Sequence, residues 1–155
     1  IKTHGDRPLF FDFLPLDIGK IKGYDVKIQL YTVPGQIRYN ATRRLVLNGV
    51  DGLVFVADSM AVRRKRNTLS LKNLEENLQL HMKDIKKVPM VMQYNKIDLR
   101  DKGIELIDLK TLDKDLNSEL KMPSFSASAL MGQNVVNTLK KIVSMTMSNL
   151  KKEFK

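Results

Sequence analysis

The residues best suited to chemistry stand directly after the short apolar runs of this sequence. Val88–Tyr94 (VPMVMQY) leads straight into Asn95-Lys96-Ile97-Asp98. An aspartate at the start of a loop can accept two hydrogen bonds from guanine, through the ring N–H and the exocyclic amine. Adenine offers no such donor pair, so one carboxylate can select the base. The Lys96 stem can lie over the purine face, and Asn95 can tie the loop to its neighbours. Ser128-Ala129-Leu130 follows Ser124-Phe125-Ser126 and offers backbone donors for the guanine carbonyl oxygen. That tripeptide says little alone; it gains weight from its place after a strand-like segment.

A third candidate is Thr32-Val33-Pro34-Gly35-Gln36, after Lys27–Tyr31. Gly35 lets the backbone approach a terminal phosphate closely and donate its N–H, with Thr32 and Pro34 in the same phosphate-facing turn. Gln36 is then placed to orient an attacking water, as a Gln does in many GTPases. A Pro-Gly turn that merely closes a strand accounts for the same letters.

The elements that must position these residues alternate in type. Leu9–Leu14 is aromatic-rich and reads as a strand ending at Pro15. After a turn region at Gly19–Gly23, Val26, Ile28 and Leu30 alternate with Lys27, Gln29 and Tyr31, which suggests an antiparallel hairpin with one half-buried strand. Gly52–Ala57 and Val88–Tyr94 lack alternation, so they read as strands buried on both faces of a mostly parallel sheet. Leu71, Leu74, Leu78 and Met82 follow helical spacing, as do Val135, Leu139, Ile142, Val143, Thr146 and Leu150. Asp108–Leu120 is a weaker helical stretch, and Pro123 precedes the short strand Ser124–Ser126. The order predicts an α/β class: a doubly wound, mostly parallel sheet carrying an antiparallel edge hairpin. In such sheets ligands bind at the carboxyl ends of the strands, where all three candidate segments lie.

Composition narrows the function. The 155 residues are 43% hydrophobic and 28% charged, the balance of a folded domain. The sequence has no cysteine and 2 distant histidines, His4 and His81, which excludes disulfide scaffolds, thiol nucleophiles and a His-rich metal site. No stretch nears the ~18 apolar residues of a membrane span, so no integral membrane association is expected. The net charge of +10 is spread along the chain as a solvated surface. Aromatics do not interleave with the basic residues, so nucleic acid is not an expected partner. Arg63-Arg64-Lys65-Arg66 reads as a solvated loop leading into a helix.

LFFDFLPLD (Leu9–Asp17), LYTVPGQIRYN (Leu30–Asn40) and LVLNGVDGLVFVADS (Leu45–Ser59) resemble the MglA-type bacterial Ras-like small GTPases, which control gliding motility and cell polarity. That family shows Thr-Val-Pro-Gly-Gln where other small GTPases begin with Asp, and Thr32 carries this replacement. The resemblance implies a P-loop NTPase, Ras-like fold, binding of GTP and GDP with Mg2+, and hydrolysis that is slow without a partner. It makes Arg7 an internal arginine finger and Gln36 the water-positioning residue. It also implies a roadblock-type, MglB-like homodimeric activator and polarity effectors, in a cytoplasmic protein with the cell poles as its station. The family's magnesium-binding Thr after the Arg is here Pro8, which has no hydroxyl. Thr3 or Thr32 could reach the ion through water; no metal ligand is otherwise assigned.

No Gly-x-x-x-x-Gly-Lys-Ser/Thr occurs in the sequence, and Gly19-Lys20 lacks both flanking requirements. Together with a first residue that is Ile1 rather than Met, this predicts one small GTPase domain over residues 1–155 whose first strand–loop–helix unit is missing. The alternative is a non-catalytic pseudo-GTPase binding module of the same fold.

Overall fold

The structure, a computed structural model, describes residues 13–33, 35 and 37–153. Thr3, Arg7, Pro8, Pro34 and Gln36 therefore lie outside the described residues. The chain divides into two compact units, Ile1–Asn48 and Gly49–Lys155.

In the first unit β1 (Phe13–Ile21) pairs antiparallel with β2 (Tyr24–Tyr31). The turn is narrower than Gly19–Gly23: it is Lys22-Gly23, with φ of 52° and 85°. Two left-handed residues make the type I′ geometry whose twist matches that of the flanking strands. Gly19 belongs to the strand instead. The register steps from Asp17↔Lys27 to Gly19↔Val26, which leaves Ile18 as the extra residue of a bulge. Gly19 takes φ 78° there, and its N–H donates to Asp17 Oδ1 at 2.9 Å. Pro15 does not end the strand but pairs with Gln29 inside it. In a two-stranded ribbon every second N–H points away from the partner, so a missing one is tolerated. Val26 and Ile28 are half-buried as expected, while Leu30 is exposed. A 3-10 turn (Ile37–Tyr39) leads into α1 (Asn40–Val46).

The second unit is built on three parallel strands in the order β3 (Leu53–Asp58), β4 (Met90–Asn95), β5 (Ser124–Ser126). Three helices alternate with them: α2 (Arg64–Leu80), α3 (Leu109–Leu116) and α4 (Val135–Glu153). This α/β alternation, preceded by an antiparallel hairpin, is the one the apolar runs predict. β4 is buried on both faces, Met90, Val91, Met92 and Tyr94 being fully inaccessible. Removing such side chains from water is worth about 1.5–3 kcal/mol each, so β4 is the spine of the core. β3 differs from expectation: Phe55 and Ala57 are buried, but Val56 between them is 54% exposed. Val54 and Asp58, on the same face as Val56, are half-buried.

Leu71, Leu74 and Leu78 of α2 face the core as expected. Met82 does not, because the helix stops at Leu80 and Met82 turns out at φ 58°, 96% exposed. Arg64–Arg66 are not a loop but the first turn of α2. Positive charge opposes the helix dipole there, and Asp115 offsets it by taking Arg64 Nε at 2.6 Å. Asp108 caps α3, its Oδ1 accepting from Thr111 N–H at 2.7 Å.

Candidate functional site

Parallel pairing sets the site. Asp58 lies opposite Asn95 and Tyr94 opposite Ser126, so three neighbouring strands release their loops at one level. On leaving β4 the chain turns at once, because Lys96 takes the left-handed conformation (φ 75°, ψ 28°) before the 3-10 segment Ile97–Lys102. A non-glycine residue accepts that geometry only when its surroundings hold it.

The surroundings here are specific. Ile97 N–H donates to Ala127 O at 3.2 Å, and Ala127 N–H donates to Tyr94 O at 2.8 Å. Asn95 Oδ1 accepts from Ala129 N–H at 2.8 Å. Ser128, fully buried, donates its hydroxyl to Asp98 Oδ1 at 2.7 Å and accepts from Met131 N–H at 3.1 Å. Asp98 Oδ2 carries no hydrogen bond among the described residues. The 95–98 and 127–131 loops thus form one hydrogen-bonded block ending in a half-buried carboxylate with acceptor capacity left over.

The structure brings Asn95, Lys96, Asp98, Ser128 and Ala129 together. It also redistributes the donors of the 128–130 tripeptide. Ser128 N–H is spent on Gln133 O at 3.1 Å and Ala129 N–H on Asn95, leaving only that of Leu130 uncommitted among the described residues. Thr32 and Gly35 follow β2 in the first unit and are exposed.

Sequence reasoning missed the polar residues behind the loop. Lys96 Nζ meets Asp58 Oδ2 at 2.8 Å. Asp58 Oδ1 accepts from Met60 N–H at 3.0 Å. The Asn67 side chain, 6% exposed, accepts from Asp58 N–H at 3.0 Å and donates to Asp58 O at 2.8 Å. Beneath β4 the Tyr94 hydroxyl donates to Asp113 Oδ1 at 2.6 Å, while Ser124 Oγ donates to Asp113 Oδ2 at 3.1 Å. Burial, then the bond to Asp113, pushes the Tyr94 phenol far above its ordinary range. The signal for Asp58 was its place: an acid directly ending the apolar run Gly52–Ala57.

The family description for the ADP-ribosylation factor family matches residues 14–146. Over 152 residues the chain is 45% identical to the "Mutual gliding-motility protein MglA" of Myxococcus xanthus (strain DK1622), covering 98% of this chain and 75% of that protein. The chain belongs to the MglA-type small GTPases. Its parallel sheet with flanking helices and antiparallel hairpin is accordingly a Ras-like P-loop NTPase fold. As a small GTPase it is a guanine-nucleotide-binding switch of a class that hydrolyses GTP. Among the described residues no helix is long and apolar enough to cross a membrane.

Proposed function

We propose that this MglA-type GTPase reads guanine through Asp98, with Lys96 along the base, Asn95 and Ser128 fixing the loops, and Ala129 and Leu130 beside the base carbonyl. The observation that carries this reading is the Ser128–Asp98 hydrogen bond at 2.7 Å, which aims a carboxylate from the end of a buried strand. Gly35, Thr32 and Pro34 would meet the terminal phosphate. Among the described residues no group of three or more His, Asp or Glu side chains is arranged to hold a metal. A magnesium ion would be met by nucleotide oxygens and water, with Thr32 or Thr3 reaching it through water.

Hydrolysis is slow until a roadblock-type, MglB-like homodimer docks and sets Arg7 and Gln36 against the γ-phosphate. The γ-phosphate would order the 2–8 and 34–42 segments and release them on hydrolysis, which is how such a switch signals. The relative's name supports an output in gliding motility; polarity effectors and a station in the cytoplasm and at the cell poles rest on the family resemblance alone. Calorimetric titration of the full-length protein with GDP and with ADP tests the base assignment. Tight GDP and negligible ADP binding is the expected result; equal binding would refute it.

A further inference from the structure

We infer that Asp58 is a positioning residue of the nucleotide site, holding the Lys96 side chain in place as the platform along the base. The inference rests on the reading that Lys96 lies against the base. A lysine stem is flexible, and a ligand that must order it gives up affinity in doing so. Here the stem is anchored: Nζ sits 2.8 Å from Asp58 Oδ2.

The anchor is itself immobile. Its second oxygen accepts from Met60 N–H, and both polar groups of its backbone are bound by the buried Asn67 of α2. Three of the four atoms through which Asp58 could pivot or drift are thus fixed, and the fourth, Oδ2, is turned to Lys96. The Lys96 backbone is equally constrained, left-handed between β4 and a 3-10 turn. Both ends of the stem are held, and only the methylenes between remain to face a ligand.

A purely structural tie between β3 and β4 accounts for this poorly. Those strands already pair along six residues each, from Leu53↔Met90 to Asp58↔Asn95. A lysine–carboxylate pair with side chains 44% and 22% exposed adds little to such a ladder. What the pair does supply is one direction for a long side chain at the mouth of the site.

The test measures dissociation constants for GDP and for IDP, which lacks the exocyclic amine, in the full-length protein. The variants are Asp58→Ala, Asp58→Asn, Lys96→Ala and the double Asp58→Ala/Lys96→Ala. Asp58→Ala should weaken both nucleotides by the same factor, roughly three- to tenfold, as expected when one preordered side chain is set loose. The GDP/IDP ratio should not move, because Asp98 and not Lys96 contacts the amine. Asp58→Asn keeps the Met60 bond and a neutral acceptor for Lys96, so it should fall between wild type and Asp58→Ala and guards against misfolding of the alanine variant. The double variant should bind no more weakly than Lys96→Ala alone. GDP affinity within twofold of wild type for Asp58→Ala, or additive losses in the double variant, would overturn the inference. Failure of the base reading is separate: it would appear as a GDP/IDP ratio of one in the wild type.

Discussion

Ser128 donates its hydroxyl to Asp98 Oδ1 at 2.7 Å across 30 positions of sequence. One residue belongs to the loop after β5 and the other to the loop after β4, so the bond fixes one loop by the other. It spends a single lone pair of the carboxylate and leaves Oδ2 available. A lone exposed aspartate would rotate through its two equivalent faces; this one presents a defined edge to any donor pair that arrives.

Replacing that edge should abolish base choice. Asp98→Ala removes two hydrogen bonds to a charged acceptor, each worth about 1.5–3 kcal/mol. GDP affinity should therefore fall steeply while ADP affinity barely changes. Parallel titrations with both nucleotides check this, and a variant that still prefers GDP would show that another group reads the base.

Tyr94→Phe probes the support beneath the loop. It strips Asp113 of its 2.6 Å partner while Asn117 Nδ2 and Ser124 Oγ remain at 3.2 and 3.1 Å. The expected cost is about 1–3 kcal/mol, read from the urea midpoint at neutral pH. Because the folded phenol's pKa is raised above the unfolded value of 10.0, its contribution is complete below about pH 10 and fades as pH rises further. The variant should lack that alkaline decline.

Catalysis is expected to depend on Arg7 and Gln36. An arginine finger is worth about 10³–10⁵ in rate, so Arg7→Ala should erase partner-stimulated hydrolysis, as should Gln36→Leu. Both act on the barrier rather than on ground-state binding, so GTP affinity should stay near wild type. Single-turnover assays with the roadblock-type partner decide the matter. A rate within a few-fold of wild type for Arg7→Ala would reduce the residue to a surface cation.

Acid should reveal the cap of α3. The Thr111 backbone N–H, with further help from Lys110, holds the Asp108 carboxyl below its ordinary 3.8. A depressed folded value means the unfolded chain takes protons more readily, so the cap's contribution is present above about pH 4 and lost as pH falls through the folded value. Asp108→Ala should melt earlier than wild type at pH 7, and the two curves should converge as the pH falls through the folded carboxyl's titration. A gap that persists in acid would point to packing instead.

The order of elements was legible because apolar runs, turn residues and helical spacing report local geometry. The 95–98 loop was legible because its residues stand together. Asp58 and Asp113 were not, since each acts through a partner far along the chain: Lys96 lies 38 positions from Asp58, and Tyr94 19 from Asp113. Pro15 misled because a proline is read as a stop, whereas an edge strand has N–H groups to spare.

The Lys22-Gly23 turn also has a consequence in time. A hairpin closed by a two-residue turn needs only neighbouring residues to meet, and such hairpins form in about 1–10 μs. β3, β4 and β5 are parallel and must wait for α2 and α3 to cross between them, which is inherently slower. The hairpin amides of β1 and β2 should therefore gain protection first in pulse-labelled refolding. The block formed by the 95–98 and 127–131 loops, which needs the ends of both β4 and β5, is then among the last parts of the chain to come together.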